Sequence, residues 1–301
     1  MNTLTKAESV ALLCAVILCG FAVIFGAGAS LGHNAWLAVA AALPAGLLPL
    51  ALCSTAFTAA GRAAGRIAAA LSALLQTLLV GYFCSRILRL WSELSSAGFN
   101  DWLYYALMVL LICYGAHLGL RGLARVALPL LALLLAAALA DSLLLLGEYD
   151  VRRLLPLAAA DAPQLWSTAA LIAVAIYGLT PQLLLIGRQI LVTRRLMFIA
   201  IAIGGGYCLW ATLRNVLIFG ELLRSGGFPV VRALRLIDVG RGLTHLETLP
   251  LLFLLAVAMI GASAAVYCSV RQLQSRWQLG HYPALIGVGV FQFAVGLFFI
   301  Y

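Results

Sequence analysis

Residues 123–147 read LARVALPLLALLLAAALADSLLLLG, a stretch whose only charged members are Arg125 and Asp141. A helix needs about 20 mostly apolar residues to cross a hydrocarbon core of roughly 30 Å, so this segment is long enough to span a bilayer. Working outward from it, runs of the same character recur at 7–30, 34–54, 67–91, 102–120, 164–187, 196–220, 248–270 and 282–301. Of the 301 residues, 64% are hydrophobic and only 10% charged. The reading is one all-α integral membrane domain over residues 1–301 with nine spans and no soluble domain.

Charge orients the spans. One set of alternate gaps holds Lys6, Arg62, Arg66, Arg121, Arg125, Arg188, Arg194, Arg195, Arg271 and Arg276 with Glu8 as its single acid. The other set and its span ends hold Arg86, Arg89, Arg152, Arg153, Arg214, Arg224, Arg232, Arg235 and Arg241 against every remaining Asp and Glu. Basic loops stay cytoplasmic on insertion, which predicts a cytoplasmic amino terminus and an outer carboxyl terminus. Trp36, Trp91, Trp102, Trp166 and Trp277 fall at predicted span ends, where an amphipathic indole belongs, and Trp210 lies deep. The net charge of +9 is dispersed with no basic tract, so topology explains it and nucleic-acid binding is not expected. The first span is long and runs straight into others without a small-residue cleavage signature, so it is not read as a removable signal peptide.

The seven cysteines lie inside apolar runs, are odd in number and form no C-x-x-C, which makes them small core hydrophobes. His33, His117, His245 and His281 have no ligand spacing, so no metal and no cofactor is expected. No nucleophile–base pair and no phosphate loop is visible, which argues against an enzyme.

Function in such a bundle concentrates where a helix breaks. The first span carries Phe25-Gly26-Ala27-Gly28-Ala29-Ser30, where two glycines lower the cost of leaving helical geometry. The sixth carries Tyr177-Gly178-Leu179-Thr180-Pro181, in which Thr then Pro is a helix-start signature inside an apolar run. Close packing is the alternative at both. Broken spans five apart suggest a five-helix inverted repeat whose unwound backbone holds a substrate near the midplane. The candidate ligand residues are Gly26, Ala27, Gly28 and Ser30 with Tyr177, Gly178 and Thr180. Neither break carries a charge, which suits a small zwitterion or neutral nutrient.

Three intramembrane ionisable groups are functional candidates by their cost alone: His117, Asp141 and Arg214. Asp141 is either a proton or ion relay toward Glu148 or the partner of a basic residue such as Arg86. Arg214, beside Asn215, pairs with Glu221 or meets an anionic ligand, and His117 reads as a snorkelling interfacial residue. Gly204-Gly205-Gly206 reads as close helix packing, with a hinge as the alternative. In the long polar stretch 221–246, Phe228, Val231, Leu234, Leu236 and Ile237 alternate with Arg232, Arg235 and Asp238, the pattern of a short amphipathic helix on the outer face.

The segment Gly32-His33-Asn34-Ala35-Trp36-Leu37 resembles the G-x-(D/N)-A-W element after the first helix of endospore germination permeases, the B subunits of spore germinant receptors. Ile218-Phe219-Gly220, then Phe228-Pro229, Arg232, Ile237, Gly240 and Glu247, is similar to their outer loop between helices 7 and 8. Gly119 with Ala124-Arg125 resembles the turn between helices 4 and 5, and Leu154-Leu155-Pro156-Leu157 the loop before helix 6. The matches keep their order over roughly 220 residues. Departures are His245 for a common Arg, Arg121 for a common acid and Gly242 for a usual aromatic.

The resemblance implies the amino acid–polyamine–organocation superfamily fold, a LeuT-like inverted-repeat helix bundle of ten helices with helices 1 and 6 unwound. It implies detection of a small nutrient, often an amino acid, in the inner spore membrane, with receptor A and C subunits as partners. Phe228, Pro229, Arg232 and Asp238 are the expected partner-loop residues. A tenth span is not found, which leaves it absent, merged with another or beyond the sequence. Three function classes follow: a receptor subunit, a secondary amino acid transporter, and a structural assembly subunit. Scarce intramembrane carboxylates favour the receptor.

The orientation is testable by labelling single cysteines introduced after Arg195 and after Asp238. The first is expected to be protected from an impermeant outside reagent and the second to react; external labelling at position 196 would reverse the topology.

Overall fold

The computed structural model describes residues 4–23, 28–47, 62–94, 100–155, 162–180, 193–225, 229–234 and 248–300. Among them every regular element is helical. In chain order these are α1 (Lys6–Val23), a 3₁₀ segment (Ala29–Asn34), α2 (Ala35–Ala42) running into a second 3₁₀ segment (Leu43–Leu47), and α3 (Arg62–Leu94). Then follow α4 (Asp101–Leu144), two 3₁₀ turns (Leu146–Glu148 and Val151–Leu154), α5 (Ala162–Tyr177) and α6 (Arg194–Ala200). A π segment (Ile201–Gly205) leads into α7 (Gly206–Phe219), which is followed by a 3₁₀ segment (Gly220–Ser225), α8 (Pro229–Leu234), α9 (Thr248–Trp277) and α10 (His281–Ile300).

Five stretches among the described residues are long and apolar enough to cross a membrane, including Asp101–Leu144 and Leu249–Ser275. The outer surface agrees. Leu110, Leu118 and Leu139 of α4 and Val290 and Phe298 of α10 are all more than half exposed, as lipid-facing side chains are. This is an all-α, membrane-embedded architecture.

Helix α1 starts at a capping box. Thr5 Oγ1 accepts from the Glu8 amide at 3.3 Å while the Glu8 carboxylate accepts from the Thr5 amide at 2.8 Å. From Ala11 to Cys19 every residue is at most 1% exposed, so more than two turns are enclosed on all sides. Small residues allow that enclosure. A Cβ on Gly20 would overlap the carbonyl of Ala175 in α5, and one on Gly261 of α9 would overlap the carbonyl of Ala15. Gly204 presses on Ile17, where an added Cβ would sit 3.1 Å from its Cγ2.

The 44 residues of α4 would reach about 66 Å if straight, twice a bilayer core. Gly119 interrupts them with φ 78 and ψ 168, a backbone conformation that glycine adopts without penalty. The contacts on either side show that the chain reverses there. Before it, Tyr105 donates to the Gln292 carbonyl at 2.9 Å and His117 lies 3.3 Å from His281, so this limb runs antiparallel to α10. After it, Arg125 lies 3.9 Å from Glu8 at the start of α1, and Asp141 reaches Arg214 of α7. The limbs coincide with the spans expected at 102–120 and 123–147.

Two ends result. One gathers Lys6, Glu8, Arg125, His117, Arg195 and His281; the other gathers Gly28, Asp141, Arg214 and Pro229. In the first span, where a break was expected at Gly26–Ser30, α1 covers Lys6–Val23, residues 24–27 lie outside the described residues, and the chain from Ala29 is 3₁₀. The sixth span also stops being α-helical at Tyr177, with Gly178 and Leu179 in a turn. The triple glycine packs as expected at Gly204 and Gly205, while Gly206 has nothing within 4 Å and the helix before it widens to π geometry.

Gly20→Ala and Gly261→Ala are expected to lower the melting temperature of the detergent-solubilised protein, at a cost of about 1–3 kcal/mol for overpacking. Gly206→Ala, with open space around it, is expected to stay within about 0.5 kcal/mol of the parent. Indistinguishable melting of the three variants would refute the close-contact account of α1.

Candidate functional site

At the Gly28 end, segments far apart in the chain close on one another. The Gly32 backbone takes φ 56, and a Cβ there would meet both Glu221 carboxylate oxygens at 2.8 Å. Glu221 pairs with His33 Nδ1 and lies 2.9 Å from Arg224 Nε. His33 Nε2 is 3.1 Å from the Asn34 amide nitrogen. Ala35, Val216 and Leu223 form a buried cluster beneath, packed by Trp36, Leu154 and Phe219. The Asp150 amide donates to the Leu217 carbonyl at 3.1 Å, and Arg153 lies against Gly220, whose φ is 52. Residues of three of the quoted segments, at 32–37, 154–157 and 218–220, thus share one neighbourhood.

Beside this cluster lies a cavity of about 40 Å³. Gly28 and Ala29 bound it from the first break, Phe21 from α1 and Ile172 from α5, and Pro229 and Val230 from α8. Thr212 and Asn215 of α7 supply its polar wall. Thr212 donates its hydroxyl to the Cys208 carbonyl at 2.9 Å. Asn215 is 7% exposed, and its amide oxygen has no hydrogen-bond partner among the described residues. A buried acceptor without a donor costs about 1–3 kcal/mol, which a ligand donor or an ordered water recovers. A water needs roughly 10–15 Å³, so the space takes a few waters or the polar head of a small solute. None of the lining residues is charged.

Adjacent to Asn215 on α7, Arg214 meets α4. Its Nη1 lies 3.4 Å from Asp141 Oδ2, and the two side chains are 5% and 8% exposed. Ser142 continues the network, accepting from Trp210 Nε1 at 2.8 Å and donating to the Ala138 carbonyl, while Tyr149 donates to the Ser142 carbonyl at 3.2 Å. Trp210, the one deep tryptophan, thereby satisfies its N–H.

The sequence-derived site residues divide accordingly. Gly28 and Pro229 line the cavity, and Ser30 is exposed beside it. Gly26, Ala27, Phe228 and Asp238 lie outside the described residues. Arg232 is exposed on α8 and donates to Ser225 at 3.0 Å. Tyr177, Gly178 and Thr180 have other surroundings. Thr180, fully buried, donates to the Tyr177 carbonyl at 2.6 Å, and the Tyr177 ring packs where Gly46 and Gly205 leave room. The Tyr177 hydroxyl is buried with no partner among the described residues. No hydrogen bond among the described residues joins the two breaks.

Two pairings have partners other than those named from the sequence. Asp141 pairs with Arg214 rather than Arg86, and Glu148 is exposed. Arg214 therefore does not pair with Glu221, which turns to His33 and Arg224. His117 is exposed as expected but meets His281. Asn215, Thr212 and Ile172 were not among the expected ligand residues. The available signal was Asn215 itself, an amide in the middle of an apolar helix. Comparison with protein-family models and with curated proteins gives no match.

Removing one partner of a buried ion pair strands the other charge, typically at 3–5 kcal/mol, whereas replacing both is often near neutral. Arg214→Met alone is expected to collapse the yield of folded protein, and Asp141→Leu/Arg214→Met together to restore much of it. Full stability of the single variant in a detergent melt would show that the pair does not hold α4 to α7.

Proposed function

We propose that the chain is the membrane subunit of a nutrient receptor of the spore-germinant type. It binds a small nutrient, an amino acid by class, in the cavity between Gly28, Asn215 and Pro229, and signals to partner A and C subunits. The observation that carries this reading is the unsatisfied Asn215 amide oxygen in an uncharged cavity bounded by the first helix break and the outer loop. Such a wall accepts a hydrogen bond from an ammonium, hydroxyl or amide group, the polar head that enters among Phe21, Ile172 and Val230. The meeting of the Gly32–Leu37, Leu154 and Ile218–Gly220 segments supports the family resemblance, because these are residues on which it rests. In this reading the chain has nine spans in an inverted-repeat bundle, a cytoplasmic amino terminus and an inner-spore-membrane location. Exposed Arg232 and its helix face the partners.

The second reading is a secondary amino acid transporter, favoured by a carboxylate at membrane depth, Asp141. Its partner Arg214 stands against it, since Asp141 is already engaged by a fixed buried cation instead of being open to a transported ion.

A receptor shifts a conformational equilibrium by the ligand's differential affinity for two states, whereas a transporter must release its ligand on the far side. Purified protein in liposomes is expected to bind a small amino acid without concentrating it. Asn215→Leu and Gly28→Leu are expected to weaken binding at least tenfold, the loss of one buried hydrogen bond or of the space itself, with the protein still inserted. Disrupting Phe228-Pro229 or the Arg232–Asp238 segment is expected to block nutrient-triggered germination but not routes that bypass receptors. Proton- or sodium-driven uptake that Asp141→Asn abolishes would promote the transporter. Unchanged binding in both cavity variants would remove the site.

A further inference from the structure

The opposite end of the molecule holds a far larger hollow, about 630 Å³, between the start of α1, the second limb of α4 and the α6–π segment. That is within the range of roughly 300–1,000 Å³ typical of built ligand sites. Its walls are apolar, with Val10, Leu131, Leu196 and Ile203 among them. Its polar rim is cationic: Lys6 and Arg195, with Thr193 alongside, and no acid lines it. Both basic side chains are exposed, and neither has an ion-pair partner among the described residues. The nearest acid along the chain, Glu8, is engaged by Thr5 and by Arg125. Leu128 in the wall is 42% exposed, and Val126 and Phe198 nearby in the chain are 52% and 63% exposed, so the hollow adjoins a surface suited to lipid.

From this arrangement we infer a binding site for one anionic phospholipid. The phosphate sits between Lys6 and Arg195, and an acyl chain fills the groove between α1 and α4. Two cations on the rim with no acid beside them disfavour a cationic occupant and favour an anionic one. The apolar walls require a chain that free phosphate lacks. Two cations spaced across an apolar hollow at the end of a membrane helix bundle are the arrangement that recognises an anionic headgroup. The site lies at the end away from Asn215, so its occupation is separable from nutrient binding. It also couples the amino terminus of the enclosed helix α1 to the π segment through one ligand.

The test uses the full chain purified in a zwitterionic detergent. Dissociation constants for phosphatidylglycerol and phosphatidylcholine are read by native mass spectrometry and by shift of the melting temperature. Phosphatidylglycerol is expected to bind and stabilise, and phosphatidylcholine to do so far more weakly. Lys6→Gln/Arg195→Gln is expected to weaken phosphatidylglycerol roughly 30-fold, about fivefold per cation, while Arg232→Gln at the other end leaves it unchanged. Ile203→Trp, which fills the groove without touching the charges, is expected to displace the lipid as well. Equal binding of the two lipids, or full phosphatidylglycerol affinity in the double variant, would overturn the site. So would displacement by inorganic phosphate alone, because it would show a surface charge patch with no use for the acyl chain.

Discussion

The enclosure of α1 governs the rest of the arrangement. In a bilayer there is little hydrophobic gain from burying one apolar helix against another, so packing quality must hold the bundle. Ala11–Cys19 are covered on every side, and that is achieved by backbone contact where Gly20 meets α5 and Gly261 meets Ala15. These approaches set interhelical distances that no larger residue allows. The other described helices form a jacket around it: α9, α4, α5, α3, α6 and the π segment all contact α1, and α10 lies further out against α3 and α4. The near absence of amphipathic asymmetry in α1 follows, since a helix with no solvent or lipid face has no reason to sort its side chains.

Against that apolar frame the Asp141–Arg214 pair is the most expensive feature. Two ions at membrane depth lose their hydration, and the attraction between them offsets that loss only when both are present and well placed. The pair sits where α4 and α7 meet, and Ser142, Trp210 and Tyr149 surround it with further hydrogen bonds. Its effect is to fix the rotation of α7 about its own axis. Asn215, the next residue of α7, lines the cavity.

Much of this was legible from composition and spacing, and some was not. The all-helical, apolar character and the interruptions near Gly28 and Gly178 follow from local chemistry: the chain is 3₁₀ from Ala29, and α5 ends at Tyr177 with Gly178 and Leu179 in a turn. The reversal at Gly119 was foreshadowed by two apolar runs separated by Arg121-Gly122, although the glycine that takes the positive φ lies two residues earlier. Partner choice was not legible. Asp141 and Arg214 are 73 residues apart, and a one-dimensional pattern shows that each needs a partner without showing which. The same holds for His33 and Glu221, separated by 188 residues. In the sequence the helix breaks and the intramembrane charges stand out as ligand candidates, and Asn215 does not. A lone amide on an intact helix becomes informative only when the fold shows that its oxygen has no donor.

The division between fixed and adjustable parts bears on how binding at the cavity can be transmitted. A ligand moves an equilibrium only through an element with two arrangements, and α1 is a poor choice because backbone contacts clamp it on two sides. The cavity's polar wall belongs to α7, and α7 is continuous with the π segment Ile201–Gly205. A π turn carries one residue more than the α-helix around it, so converting it back to α-geometry rotates and shifts what lies beyond. Gly206, with nothing packed on it, sits at that junction. Under the receptor reading, a ligand donor on Asn215 acts at one end of a helix whose other end carries this irregular turn beside the cationic groove. The Arg214–Asp141 pair then sets the threshold, because α7 cannot rotate without either carrying α4 along or separating two buried charges.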